Sequence, residues 1–205
     1  MGREHMRNSV IRALPPLVLS AVALTGCGRL SYQDVPTLLN TLQDQDLNIR
    51  VREEAAAALS DLGPADREAV PLLINALQDK DPFVRRVAVL VLGNIGPAAN
   101  EAAPVLVTML QDENKRVRIV AARALVQIDP ATKEVVPFLI QQLQDQDPDD
   151  RASAARALGK LGPTANEAVP HLIDALQDDY KLTRTLAAEA LRQIRPAEEE
   201  VSTTP

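Results

Sequence analysis

The chain repeats itself five times, and this internal repetition constrains its fold more than any other feature. In each copy a Val-Pro or Ala-Pro pair is followed, six residues after the proline, by the triplet Leu-Gln-Asp. The pairs begin at Val35, Val70, Ala103, Val136 and Val169, so successive copies stand 35, 33, 33 and 33 residues apart. A period of this length, kept over five copies, is typical of a repeat array in which each unit packs on its neighbours.

Each copy is predicted to form two helices. In the second copy Val70, Leu73, Ile74 and Leu77 are spaced i, i+3, i+4, i+7, which gives one apolar stripe on a first helix. Pro71 suits the first turn of that helix, where its missing N–H is not needed. The Leu-Gln-Asp triplet then closes the helix, and a short acidic turn leads to the second helix.

The second helix is predicted to run from Val84 to Ile95 in the second copy. In Asp81-Pro82 and Asp147-Pro148 the aspartate can cap the helix and the proline can open it. The pairs Gly63-Pro64, Gly96-Pro97 and Gly162-Pro163 indicate a left-handed cap at the other end, followed by a proline that stops the helix. The equivalent alanine-rich segments are Ala55 to Leu62, Ala121 to Ile128, Ala154 to Leu161 and Ala187 to Ile194.

The repeated unit, D-P-x-V-R-x-x-A-A-x-A-L-G-x-I-G-P followed by A-V-P-x-L-x-x-x-L, resembles HEAT repeats, in the short form found in phycobilin-lyase-like proteins. The resemblance covers Val35 to Pro196. It implies an all-α fold, an α-solenoid superhelix of five tandem helix pairs. The expected repeats are residues 35–69, 70–102, 103–135, 136–168 and 169–195, and residues 196–205 are expected to be a disordered acidic tail.

Composition agrees with close-packed helices and argues against nucleic acid as a partner. Aromatic residues make up 2% of the chain and tryptophan is absent, so Leu, Ile, Val and Ala must fill the core. The formal net charge is -6. Residues 1–26 carry three arginines and one glutamate, which leaves -8 on the rest of the chain. A polyanion is a poor partner for such a chain.

The amino terminus has the pattern of an export signal. Arg3, Arg7 and Arg12 precede the apolar run Ala13 to Leu24, which is too short to span a bilayer. The run ends in Leu-Thr-Gly-Cys27, which resembles the lipobox of bacterial lipoproteins. The resemblance implies a signal peptide over residues 1–26, a lipidated Cys27 and a tether over residues 27–34. The expected location is therefore the bacterial cell envelope, at the periplasmic or outer face of a membrane; the alternative is an idle thiol in a leader.

An arginine opens the second helix of every copy, and these residues form a structural ladder if the repeats stack. Asp81 and Arg85, or Asp147 and Arg151, stand four apart and can pair, and turn aspartates of neighbouring copies should lie close by. An anion-binding track is the alternative, but a residue needed in every repeat favours a structural role. The ladder comprises Arg52, Arg85, Arg118, Arg151 and Arg184.

No pattern for catalysis, metal binding or a cofactor is found. His171 is the only histidine after the leader and occupies a first-helix position that the other copies fill with Thr37, Leu72, Val105 and Phe138. One histidine without a clustered carboxylate or thiol cannot make the usual metal site. The His-Glu pairs of the HEAT-like di-iron hydroxylases are absent. Gly159-Lys160 lacks the remaining residues of a P-loop, and no nucleophile stands with a base. The sequence therefore predicts a protein that is not an enzyme.

Positions of the second helix that differ between copies are candidate contacts for a protein or peptide partner, because stacking does not need them. Copies two and three combine apolar and basic residues there. The alternative is that superhelical curvature buries this face, so that Val87 and Leu90 belong to the core. The candidates are Arg86, Val87, Leu90, Ile119, Val120, Arg123, Arg156 and Leu186.

The favoured function is a non-catalytic scaffold, anchored to a membrane through Cys27, that holds a protein partner. One alternative is a phycobilin-lyase-like accessory protein that assists chromophore attachment to phycobiliproteins. It conflicts with export and with the scarcity of aromatic residues for stacking on a tetrapyrrole. Another is a structural envelope component that associates with itself through its ends, which the acidic segment 198–200 disfavours.

Overall fold

The computed structural model describes residues 32–195. The predictions for the leader, Cys27, the first part of the tether and the acidic tail fall outside these residues. Of the described residues, 76% are helical and none is in a strand. The predicted all-α fold class is confirmed.

Ten α-helices follow one another in pairs along the described chain. The first helices of the pairs are α1 (Val35–Gln43), α3 (Val70–Ala76), α5 (Ala103–Met109), α7 (Val136–Gln142) and α9 (Val169–Ala175). The second helices are α2 (Ile49–Leu59), α4 (Pro82–Ile95), α6 (Lys115–Ile128), α8 (Pro148–Leu161) and α10 (Lys181–Ile194). Short 3-10 helices precede or join them at Tyr32–Asp34, Arg67–Ala69, Gly96–Ala102 and Gly162–Ala168.

The first helices begin where the Val-Pro and Ala-Pro pairs stand, and each has its proline in the first turn. Proline costs nothing there because the first amides of a helix have no partner within it. The leucine of the Leu-Gln-Asp triplet packs inward: Leu42 and Leu77 are fully buried, and Leu110 and Leu143 are nearly so. In these four copies the leucine of the triplet therefore marks the position where the first helix packs into the core.

Two of the second helices, α4 and α8, begin with capping aspartates, as predicted. Asp81 Oδ1 accepts a hydrogen bond from the Phe83 N–H, and Asp147 Oδ1 accepts one from the Asp149 N–H. The two helices start at Pro82 and Pro148, so the second copy's helix begins two residues earlier than the predicted Val84. The alanine three residues after each ladder arginine is buried, which lets neighbouring helices approach closely. These alanines are Ala55, Ala88, Ala121, Ala154 and Ala187.

The prediction of a glycine cap is right for two copies and wrong for the first. Gly96 and Gly162 end α4 and α8 with positive φ values of 70° and 55°. Gly63 has no positive φ, and α2 ends earlier, at Leu59. Ser60 Oγ donates to the Ala56 carbonyl there, and the next two amides bond three residues back. The α-helix has therefore already changed to tighter 3-10 turns before Gly63. The predicted extension of this helix to Leu62 is corrected accordingly.

Replacing Gly96 with alanine is expected to lower the free energy of unfolding by about 1–3 kcal/mol, because a side chain is strained at this φ. Gly63→Ala is the matched control. Neither glycine has another atom within 4 Å of an added Cβ, so only the backbone conformation differs. Urea denaturation followed by circular dichroism measures both. Equal effects of the two substitutions would contradict the assignment of strain to Gly96.

The described residues divide into two compact units, 32–124 and 125–195. In the described part of the first unit, leucine and isoleucine from paired helices form the core; fully or almost fully buried examples are Leu38, Leu59, Leu73, Leu92, Ile95 and Leu106. In the second unit Leu125, Leu158 and Leu172 are likewise buried. Aliphatic side chains therefore fill the described core of each unit.

Candidate functional site

The ladder arginines bond to the backbone of their own repeat. Arg85 Nη1 donates to the carbonyls of Asp79 and Lys80, at 2.8 and 3.0 Å. These carbonyls belong to the turn that ends the first helix, where few amides are available to them. Arg118, Arg151 and Arg184 make the same two bonds in their own turns. The arginine therefore closes the turn within each repeat.

The same side chains also reach the next repeat. Arg85 bonds Asp112 through Nε (2.8 Å) and Nη2 (2.9 Å), and Nη2 also lies 3.2 Å from Glu113. Arg151 holds Asp178 in the same bidentate way, at 2.7 and 3.0 Å. In the first copy Arg52 pairs with Asp81 and bonds the Leu42 carbonyl. The arginines thus pair with turn aspartates of the neighbouring repeat, which were predicted to lie close by, and not with the aspartates four residues before them.

All five N–H groups of Arg85 are engaged by protein oxygens. The side chain is 8% exposed and that of Asp112 is 5% exposed. A guanidinium that is saturated and buried offers nothing to an outside anion. The structure therefore favours a structural role for Arg85 over an anion-binding track.

The hydrogen bonds to Asp112 stabilise the charged form of its carboxyl group. Burial would raise the pKa of Asp112, but the hydrogen bonds from Arg85 and from the Asn114 N–H outweigh burial and lower the pKa below its ordinary value. The partnership also raises the pKa of Arg85, chiefly through its hydrogen bond to Asp112. Both shifts favour the charged pair.

The lowered pKa of Asp112 predicts a loss of stability in acid. A carboxyl whose pKa falls on folding stabilises the protein above its ordinary value of 3.8, and this contribution disappears as the pH falls through the folded-state pKa. Asp112→Asn should therefore cost most near neutral pH, and the cost should shrink below about pH 4. Urea unfolding over this pH range measures the cost. The control Asp61→Asn lies at an exposed position and should cost little free energy of unfolding. A cost of Asp112→Asn that stays constant over this pH range would contradict the account.

In the first unit, the predicted partner face is accessible on α4 and on the part of α6 up to residue 124. Arg86, Leu90, Ile119 and Val120 are partly exposed, and Arg123 is exposed. Val87 is 2% exposed and belongs to the core, so its prediction as a contact residue is corrected. Val87 lies on the buried side of α4, and the repeat pattern alone did not distinguish this side from the accessible side.

An aromatic ring supports one of these arginines. The guanidinium carbons of Arg52 and Arg86 lie 5.2 and 5.3 Å from the centre of the Phe83 ring. Such a contact holds a cation over an aromatic face while leaving its outer edge free to bond. Phe83 was not predicted as a site residue. The signal for it is an aromatic residue two positions before the ladder arginine, where the other copies have Arg50, Arg116, Asp149 and Leu182.

In the second unit, the two predicted contact residues, Arg156 and Leu186, differ in their exposure. Arg156 is exposed on α8, whereas Leu186 is 7% exposed on α10 and is mainly a core residue, which corrects its prediction as a contact. Arg156 lines a groove of about 410 Å³ between α8 and α10. Lys160 and Leu182 line the same groove, and Leu182 was not predicted as a contact residue.

The potential metal ligands of residues 32–195 form no cluster that could hold a metal ion. His171 is partly buried in α9, and no group of three or more His, Cys, Asp or Glu side chains that could hold a metal is present in this range. No helix within these residues has the length and apolar content needed to cross a membrane.

The comparisons with known proteins agree with the repeat architecture. A family model of HEAT repeats matches residues 35–126 and 103–192. Among curated proteins none matches the chain.

Solved structures with a similar fold come from designed and natural proteins. An engineered protein is 22% identical, with a TM-score of 0.58, and the match covers 92% of this chain and 96% of that one. A designed armadillo repeat protein is 17% identical, with a TM-score of 0.57 and coverage of 93% and 99%. The complex of CpcE and CpcF of phycocyanin lyase from Nostoc sp. PCC7120 gives 23% identity, a TM-score of 0.58 and coverage of 77% and 98%. The fold is therefore an α-solenoid, and this chain belongs to the HEAT repeat family.

Proposed function

We propose that the chain is a non-catalytic scaffold that is anchored to a bacterial membrane through a lipidated Cys27 and binds a protein partner on its second helices. The observation that carries the proposal is the accessible face of α4 and α6. There Leu90, Ile119 and Val120 are partly exposed beside Arg86 and Arg123. Apolar side chains flanked by arginines are typical of protein interfaces.

The different environments of Arg85 and Arg86 support the proposal. The ladder arginine Arg85 is buried and saturated, so it serves stacking. Its neighbour Arg86 is partly exposed over Phe83 and has no ion pair among the described residues. Of these two adjacent arginines, only Arg86 is therefore available to a partner.

A crosslinked pull-down from native membranes tests the proposal. The wild type is compared with the double variant Leu90→Glu with Val120→Glu, after circular dichroism shows that both fold. The exposed apolar residue Ile173 on α9 gives the matched control, Ile173→Glu. A partner lost only from the double variant supports the proposal. The same partners with all three proteins, or none with any, would refute the role of this face.

A second candidate is an accessory protein for phycobilin attachment, favoured by the fold shared with the phycocyanin lyase complex. At 23% identity the likeness concerns the fold alone. Addition of free bilin to the purified chain distinguishes the candidates, since a bilin-binding protein would give a bound visible spectrum.

A third candidate, a self-associating envelope component, would instead show oligomers that grow with concentration in light scattering.

A further inference from the structure

The groove between α8 and α10, termed the α8–α10 groove, is the feature with the most specific chemistry in the second unit. Its α8 wall carries Arg156 and Lys160, and its α10 wall carries Leu182, Glu189 and Gln193. The volume of about 410 Å³ suits a few side chains of a peptide rather than a whole domain surface.

The floor of the groove is formed by close packing of the two helices. Gly159 on α8 faces α10 so closely that an added Cβ would lie 3.1 Å from Ala190 Cα. Leu186 is nearly buried beneath the groove, while Leu182 remains 39% exposed at its edge. An exposed leucine above an apolar floor provides a contact for one apolar side chain of a ligand.

The α8 wall supplies positive charge that the described chain does not neutralise. Arg156 and Lys160 stand one helical turn apart and are exposed, and neither has an ion pair among residues 32–195. This differs from Arg151 on the same helix, which is bonded to Asp178 and Asp179. Glu189 faces the groove from α10 but forms no ion pair with either cation. The free charge of the groove is therefore positive, although the chain as a whole is negative.

From this charge complementarity we propose that the α8–α10 groove binds an acidic segment of a partner protein, with carboxylates on Arg156 and Lys160 and an apolar side chain on Leu182. The proposal rests on the scaffold function and names the chemical class of partner for this surface. Cations held one turn apart match two carboxylates spaced by one turn of a helix or two residues of an extended chain. Arginine and lysine then select against basic and neutral segments.

Fluorescence anisotropy with the purified full chain tests the proposal directly. The probe is a short fluorescein-labelled peptide of glutamate and leucine, and its control is the same peptide with glutamine for glutamate. We expect the glutamate peptide to bind the wild type about tenfold more tightly than Arg156→Gln with Lys160→Gln. Arg116→Gln with Lys133→Gln removes the same charge at exposed positions outside the groove and should retain wild-type affinity.

Five results would overturn the proposal. The two peptides could bind alike, or the two double variants could lose affinity equally, which would show only a general charge effect. Binding that requires deletion of residues 196–205 would make the chain's own acidic segment the occupant. Binding of phosphatidylglycerol vesicles, or dimer formation, that depends on Arg156 and Lys160 in the absence of peptide binding would assign the groove to lipid or to a second copy.

The peptide-binding and pull-down experiments test the groove proposal and the scaffold function independently. If the peptide does not bind, but Leu90→Glu with Val120→Glu still loses a membrane partner, then the scaffold function stands and the groove assignment falls. If the peptide binds with the expected dependence on Arg156 and Lys160, the groove assignment stands whatever the pull-down shows.

Discussion

Arg85→Ala is expected to lower the free energy of unfolding by about 3–5 kcal/mol, the cost of breaking a buried, fully bonded ion pair. The substitution leaves Asp112 without its bidentate partner, and that carboxylate has a side chain only 5% exposed. It also leaves the Asp79 and Lys80 carbonyls without their donor. The effect should be larger than that of an ordinary surface salt bridge, because water cannot readily replace the lost contacts.

Arg184→Ala separates the two parts of this effect. Arg184 makes the same bonds to its own turn, to the Asp178 and Asp179 carbonyls, but has no carboxylate partner in the described part of the chain. Its removal should cost about 1 kcal/mol. Urea denaturation of both variants measures the difference. Similar costs for the two would show that pairing between repeats contributes little to stability.

Cys27→Ser is expected to abolish the incorporation of labelled palmitate and to move the chain from the detergent phase to the aqueous phase in a Triton X-114 partition. The physical reason is that two or more acyl chains hold a protein on a bilayer almost permanently, whereas a serine carries none. Cys27 is the only cysteine, so no second thiol can accept the lipid.

The neighbouring substitution Ser31→Ala is the control for Cys27→Ser, since it lies in the predicted tether and leaves the thiol intact. It should retain both the label and the detergent-phase location. Loss of the label in both variants would point to a general export defect. Retention of the label by Cys27→Ser would refute lipidation at this residue.

The helices could be predicted from the sequence because their signals are local. A proline in the first turn and an aspartate cap act within a few residues, so Pro71, Asp81 and Asp147 mark the helix starts. Gly63 shows the limit of such signals. The glycine is of the right type and position, but competing hydrogen bonds at Ser60 end the helix first.

The partner of each ladder arginine could not be predicted with the same ease. Asp81 is close to Arg85 in sequence, yet Arg85 bonds Asp112, 27 residues away, because stacking brings the next turn nearer to the guanidinium. The same limit applies to the partner face. Val87 and Leu90 are both apolar residues of α4, and only the packing of neighbouring helices decides that the first is buried and the second partly exposed.

Site-specific photocrosslinking in living cells tests the scaffold function most directly. A benzophenone amino acid is placed at position 90 or 120, on the proposed partner face, and at position 173 as an exposed control. The account predicts that positions 90 and 120 crosslink to the same partner protein and that position 173 does not. Crosslinks at position 173 alone, or none at positions 90 and 120, would contradict it.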